Sequence, residues 1–243
     1  MVEAISPEAV QAGFIADDEY TPSTHLRRVG DLSAQSEETV SKLDYRLEHD
    51  LNRYAGHHHL ADVIAKRVAE SQLEVALALL LLLLVGLIAR RNRLLVGALT
   101  ALAAAALALL GNVIVSSLWY RSRPFVTHPR TVHLLVHHPA DASFPSDHAA
   151  ALAGITVALL AFVWQLGLLA LLWSLLVGVA RVYVGEHYPG DILAGYALGI
   201  IAAAIVVLVV RSDLAQSLIG RLPRPARERL APRSRPAPRD HPA

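Results

Sequence analysis

Residues 149–180 read AAALAGITVALLAFVWQLGLLALLWSLLVGVA, 32 positions without one charged side chain. In lipid, an open chain can satisfy its backbone groups only as helix. One span needs about 20 residues, so this stretch predicts two. Trp164, Gln165 and Gly167 supply a tight turn between a span at 149–163 and another at 166–183. Working outward, Val75–Ala89 is a further apolar segment, closed by Arg90, Arg91 and Arg93. Leu94–Leu118 is the next, ending in the interfacial aromatic pair Trp119 and Tyr120. Ile192–Val210 is the last. The expected fold class is all-α, a polytopic membrane helix bundle with about five transmembrane helices.

Composition agrees. The 243 residues are 54% hydrophobic and 18% charged, with net charge +1 and mean hydropathy +0.41. A soluble domain is nearer a quarter charged. The apolar middle excludes both a disordered chain and a soluble basic nucleic-acid binder. Without cysteine there is no disulfide framework, thiolate nucleophile or Cys-ligated metal.

The ends differ from the middle. The first fifty residues carry eleven acids, from Glu3 to Asp50, against Arg27, Arg28, Lys42 and Arg46. They contain no apolar run of the kind a secretory signal needs. Residues 1–38 read as a disordered acidic tail, 39–210 as the membrane-embedded domain, and 211–243, with eight Arg and six Pro, as a disordered cytoplasmic tail. Between tail and first span, Val40, Leu43, Leu47, Leu51 and Tyr54 share one helical stripe. After Gly56 the pattern resumes with Leu60, Val63, Ile64 and Val68. The intervening charges favour an interfacial amphipathic helix pair, with a sixth span as the alternative.

Positive loops stay cytoplasmic. Five spans put the Arg90–Arg93 loop and the Arg-rich C-terminus on one side. Loops 120–147 and 184–191 then share the external face, and the polar clusters at span ends all fall there. These are Arg123-Pro124, Pro145-Ser146-Asp147-His148, Arg181, and His187 with Asp191. Ionisable residues at the membrane edge are functional candidates. Ser146 before an apolar run is an N-cap, which leaves the amides of Asp147 and His148 at a helix N-terminus, an anion site. Pro189 suits the first turn of the last helix. Two such termini and two guanidinium forks suit a phosphate group. His187 and Asp191 are four apart, so the carboxylate can orient the imidazole and leave its other nitrogen as nucleophile or base. His148 is a second imidazole for general acid duty. Together they compose a phosphoryl-transfer site with no call for metal.

Arg123-Pro124, then Pro145-Ser146-x-His148, then Arg181-x5-His187-x3-Asp191 resembles the three-part signature of the type 2 phosphatidic acid phosphatase family. Arg121-Ser-Arg123-Pro124-Phe125 and Ser143-Phe144-Pro145-Ser146-Asp147-His148 look most like its bacitracin-resistance branch, the undecaprenyl diphosphate phosphatases. The resemblance is specific from Arg123 to Asp191. Two positions depart from the pattern: Ser116 stands for the expected Lys and Ala180 for the expected Ser. Arg121 is expected to supply the missing Lys charge to phosphate. The resemblance implies that His187 attacks phosphorus, Asp191 orients it and His148 protonates the leaving oxygen. It also implies that Arg123, Arg181, Ser146 and the Asp147 region hold phosphate oxygens. Metal-independent hydrolysis of undecaprenyl diphosphate at the external face is the expected activity, with a polyprenyl lipid as partner and no cofactor. Phosphatidate, phosphatidylglycerol phosphate or another prenyl phosphate are alternative substrates. A phosphotransferase, or a lipid-binding protein without catalysis, are alternative functions.

Other polar residues take blander readings. Asp147, Glu186 and Asp141 suit supporting or solvated roles. His57-His58-His59 fits an interfacial loop, since consecutive histidines point apart on a helix. His128, His133, His137 and His138 crowd one loop, which fits headgroup contact or exposure, with metal binding as the alternative. Ala103–Ala106 is helix packing. Asn112 and Ser116 either line a path to the site or bond between helices.

Overall fold

The computed structural model describes residues 41–212, so both terminal tails lie outside the described residues. One compact unit begins at Asp44; of the segment before it, only 41–43 are described, and they are helical. Eight helices follow in order among the described residues. They are α1 (41–52), α2 (His59–Ala69), α3 (Gln72–Ile88), α4 (Asn92–Leu118), the one-turn α5 (Pro124–Thr127), α6 (Asp147–Phe162), α7 (Trp164–Tyr183) and α8 (Pro189–Arg211). No strand forms among these residues.

Each apolar segment read from the sequence is a helix. Three of them, α4, α7 and α8, are long and apolar enough to cross a membrane on their own. The first apolar segment is not independent of its approach: α2 and α3 pass the same test only as a pair bent by 51°. The second half of the expected interfacial pair, α2, meets the first apolar segment at that bend. At 16 residues, α6 is about 24 Å long, short of the hydrocarbon thickness. Its position explains how it is tolerated. It packs against α4, α7 and α8, and nine of its residues are buried, so protein, not lipid, surrounds it. A helix apolar all round suits such a central place.

Small residues make that packing possible. Ala101, Ala104 and Ala108 form a buried stripe on α4, with Ala104 backbone against Gly154 of α6. At Gly195 and Gly199, α8 lies so close to the α6 carbonyls of Ser146 and Ala150 that a side chain would have to displace backbone. The turn between α6 and α7 centres on Val163, one residue before the expected Trp164. Gly167 lies directly against the Leu160 backbone there.

The chain ends of these helices sort into two sets. Arg211, at the end of α8, donates to Ala161 O at the end of α6 (2.8 Å), so α6 and α8 run parallel. The Arg90–Arg93 turn belongs to this basic end, where α3 stops and α4 starts. The opposite end gathers the close of α4 and α7 and the starts of α3, α6 and α8. Loop 119–146 lies there, joined to the α7–α8 connection by Leu135 N to Val184 O (3.1 Å). Trp119 and Tyr120 are both exposed at that edge.

Candidate active site

At the polar end, α7 delivers Arg181 in its last turn and then stops. Gly185 permits the reversal: its φ is +83°, and a Cβ there would meet His133 O at 2.9 Å. The chain turns back through Glu186 and His187, and Pro189 starts α8. Asp191, at the third position of that helix, reaches back to the Tyr188 N–H (2.9 Å), as in a capping box. His187 is thus held between two helix ends and is 1% exposed.

Its hydrogen bonds fix its tautomer. Nδ1 lies 2.9 Å from the carbonyl oxygen of Ser143, which can only accept. Nε2 faces Nη1 of Arg123 at 3.2 Å and Nη2 of Arg181 at 3.1 Å, which can only donate. The proton therefore sits on Nδ1, and the Nε2 lone pair points at two guanidinium groups. Burial pushes the imidazole down to about 4; the Asp191 carboxylate opposes this and the two guanidiniums reinforce it. The ring is neutral at physiological pH.

Asp191 stands 3.7 Å from His187 Nδ1, beyond hydrogen-bond length. The sequence reading placed the carboxylate directly on the ring; the structure places the Ser143 carbonyl there, with Asp191 behind it. Ser143 Oγ donates to Asp191 Oδ2 at 2.5 Å and lies 3.4 Å from His187 Nδ1, linking the two.

Arg123 is 4% exposed. It follows α4 and precedes the one-turn α5, and its fork is held in place by Asp141 Oδ1 on Nε (2.7 Å), Ala142 O on Nη2 (3.2 Å) and Glu186 O on Nη1 (3.1 Å). Asp141 thus supports the loop, half of what the sequence suggested for it. Arg181 pairs with Glu186 Oε2 at 3.0 Å, out of line for a hydrogen bond, and Nη1 reaches Ala69 O at 3.4 Å. Glu186 is buried, so its role is pairing with Arg181 and not solvation. Arg181 Nε has no partner.

Ser146 caps α6 as expected, accepting weakly from Ala149 N (3.5 Å), and its own N–H donates to Asp191 O (3.0 Å). That bond fastens the two helix starts together. The helix N-terminus is only partly free for an anion, because the His148 amide donates to Asp147 Oδ1 (2.7 Å). Asp147 also accepts from His148 Nδ1 (2.8 Å). His148 Nε2 meets Gln72 Oε1 of α3 at 3.2 Å.

Arg121 departs from expectation. Its Nη1 donates to Asp191 Oδ1 (2.8 Å), its Nη2 pairs with Asp44 Oδ2 (2.7 Å), and it lies over the Tyr188 ring at 4.0 Å. With both arms on carboxylates it is not placed as a phosphate ligand. It braces Asp191. Burial works against its charge, but Asp191 and Asp44 outweigh that and hold the guanidinium more firmly protonated than usual. Ser116 donates to Val113 O of its own helix, and Asn112 Oδ1 is buried without a partner, so neither bonds between helices. Among the described residues no three His, Cys, Asp or Glu side chains gather in a metal-holding group. Two of the loop histidines take ring partners: His128 stacks on Tyr45 at 3.9 Å and His133 meets His57 edge-on at 6.2 Å.

Sequence reasoning missed Ser143, Gln72, Asp44 and Asn52. Asn52 donates to His133 O (2.9 Å) and Tyr183 O (2.8 Å) and accepts from His133 N (2.7 Å), pinning α1 to the loop and to α7. Ser143 alone had a signal, as the first residue of the quoted stretch before Pro145.

Comparison with known proteins is consistent with this arrangement. Residues 96–214 match the PAP2 superfamily. The undecaprenyl-diphosphatase BcrC of Bacillus subtilis is 33% identical over 160 residues, covering 65% of this chain and 80% of the relative. The crystal structure of Aquifex aeolicus LpxE aligns with a TM-score of 0.54 at 26% identity, over 67% of this chain and 93% of that one. A PAP2-type phosphatidylglycerolphosphate phosphatase from Bacillus subtilis shares the fold, with a TM-score of 0.53 at 21% identity over 70% and 85% of the two chains.

Proposed function

This chain belongs to the PAP2 superfamily, and from that premise we propose that it is a lipid phosphatase converting undecaprenyl diphosphate to undecaprenyl phosphate. The observation that carries the reading is the pair of guanidinium donors 3.1 and 3.2 Å from the His187 Nε2 lone pair. A phosphoryl group taking those donors for its own oxygens would bring phosphorus to the nucleophile. The undecaprenyl-diphosphatase name of the Bacillus subtilis relative supports the choice of substrate.

His187 Nε2 attacks the terminal phosphorus, forming an N–P bond as the bond to the bridging oxygen breaks. His148 gives the leaving oxygen its proton, and undecaprenyl phosphate departs. Arg123 and Arg181 hold the equatorial oxygens as charge spreads over them. Asp191 and Ser143 steady the ring as it becomes cationic. Water then attacks the phosphohistidine, giving one proton to His148 and releasing inorganic phosphate with His187 restored. The chain supplies the nucleophile, the acid and the phosphate-binding cations of this sequence, and no step calls for a metal. The site lies opposite the basic Arg90–Arg93 turn and Arg211, which the positive-inside rule assigns to the cytoplasm. The reaction therefore faces outward, at the leaflet where a carrier that has delivered its cargo is left as the diphosphate.

Phosphate release by purified protein in detergent with EDTA tests this. Undecaprenyl diphosphate and phosphatidate are compared, each against His187→Ala. Chelator-resistant release favouring the prenyl diphosphate, abolished by the substitution and inhibited by vanadate, is expected. Release from phosphatidate alone would overturn the substrate and keep the reaction. Release only after a lipid acceptor is added would make the protein a transferase.

A further inference from the structure

Helix α1 lies outside the segment that matches the family, which begins at residue 96. It nevertheless sends a carboxylate into the support of the nucleophile. Asp44, 6% exposed, binds twice across the site's base. Oδ2 pairs with Arg121 Nη2 at 2.7 Å, and Oδ1 accepts from the Gly190 N–H at 2.7 Å, in the first turn of α8. Arg121 carries the connection onward to Asp191 Oδ1 at 2.8 Å. Asp191 is held in addition by Ser143 Oγ and Tyr188 N–H, and Ser143 gives its carbonyl to His187 Nδ1. The Tyr188 ring packs on the Arg121 guanidinium. An arginine between two carboxylates has its fork committed in one plane, a geometry that a lysine point charge does not reproduce.

We propose that Asp44 is a positioning residue of the phosphoryl-transfer centre, acting through Arg121 on Asp191 and so on the aim of His187. The proposal rests on the phosphatase reading above. Without Asp44, Arg121 would follow Asp191 alone and swing with it. Asp44→Asn keeps an acceptor oxygen for the Gly190 N–H, so it isolates the link through Arg121. The substrate's binding groups, Arg123 and Arg181, bond to the other face of His187 and not to Asp44, Arg121 or Asp191. The loss should therefore appear in the chemical step.

The test is a double-mutant cycle of Asp44→Asn and Arg121→Met on the full chain in detergent. Steady-state phosphate release is measured on whichever of undecaprenyl diphosphate and phosphatidate the wild type turns over. Charged hydrogen bonds of this kind correspond to about ten- to hundredfold in rate. Asp44→Asn should lower kcat by that much with KM changed less than about twofold, and the double variant should be no slower than Arg121→Met alone, because both act on one path. Losses that multiply, a loss confined to KM, or a wild-type kcat in Asp44→Asn would overturn the proposal. Should Asp44→Asn not fold, Arg121→Lys asks the same question. It keeps the charge but cannot hold both carboxylates, and a wild-type kcat there would equally overturn it. No release by the wild type from either lipid would overturn the phosphatase reading, and the positioning role with it. Release by the wild type with an unaffected Asp44→Asn would overturn the positioning role alone.

Discussion

Nη2 of Arg181 lies 3.1 Å from Nε2 of His187, six residues away and on the far side of a chain reversal. An arginine has no acceptor and no accessible neutral form, so the contact requires a lone pair on the histidine. The nucleophile is held ready, and the group that holds it is the one that would receive the phosphoryl oxygen. Replacing Arg181 by Lys removes the second fork while keeping a positive charge. We expect kcat to fall about a hundredfold or more, as for loss of a preorganised oxyanion donor. Single-turnover formation of the phosphoenzyme measures this directly, and a rate within threefold of wild type would refute the assignment.

The pH dependence follows from the burial of His187. Its pKa is lowered from 6.5 to about 4, so the neutral, attacking ring persists well below the usual histidine range. The rate of phosphoenzyme formation should show no loss near pH 6.5 traceable to His187; its protonation limb should lie near pH 4. Stability carries the same sign. Between pH 6.5 and 4 the unfolded chain takes up a proton that the folded ring does not, so stability falls as pH falls through that window. NMR of the imidazole carbons checks the titration in the intact protein.

Glu48 predicts the opposite slope. It is fully buried on α1, neither carboxylate oxygen has a hydrogen-bond partner, and burial together with nearby Asp44 raises its pKa from 4.5 to about 7. Below pH 4.5 it is neutral in both states. Between 4.5 and 7 the unfolded chain releases the proton while the folded protein keeps it, so this group's stabilising contribution is lost as pH rises. Glu48→Gln should match the wild type at pH 4 and be the more stable protein at pH 8. Thermal unfolding in detergent across that range decides it, and equal melting temperatures at pH 8 would contradict the burial argument.

What the sequence could reveal depended on how far apart the cooperating residues stand. The uncharged run Ala149–Ala180 declares its helices because lipid and protein interior make the same demand of each position. His187 and Asp191 lie on adjacent turns, and Arg123 and Arg181 sit at the ends of apolar segments, so their neighbourhood could be inferred from spacing. The Asp44–Gly190 bond joins residues 146 apart, Asn52–His133 joins residues 81 apart, and Gln72–His148 joins residues 76 apart. Nothing in local periodicity marks those contacts. Arg121 is a case of the same kind: its position suggests a replacement for the Lys absent at Ser116, while the carboxylate that takes its second arm, Asp44, comes from α1. The 16-residue α6 was legible as a helix, but its central placement came only from the packing of α4, α7 and α8 around it.

His148 distinguishes the two halves of the proposed reaction. Its Nδ1 is bonded to Asp147 at 2.8 Å, so Nε2, 3.2 Å from Gln72, is the nitrogen left to meet a leaving oxygen. A lipid phosphate departs readily without protonation, whereas a lipid alkoxide does not, so the acid matters in proportion to the basicity of the leaving group. His148→Ala should therefore damage hydrolysis of a lipid monophosphate such as phosphatidate more than that of undecaprenyl diphosphate. General acid catalysis is worth about a hundred- to ten-thousandfold, and the monophosphate should show the upper part of that loss in kcat/KM. For the diphosphate, the residual defect should shift to breakdown of the phosphohistidine, where the same imidazole accepts a proton from water. Quenched-flow trapping would then find phosphoenzyme accumulating in His148→Ala with the diphosphate. Equal losses on both substrates, with no accumulation, would remove His148 from the acid role and leave Asp147 and Gln72 as supports of a merely structural ring.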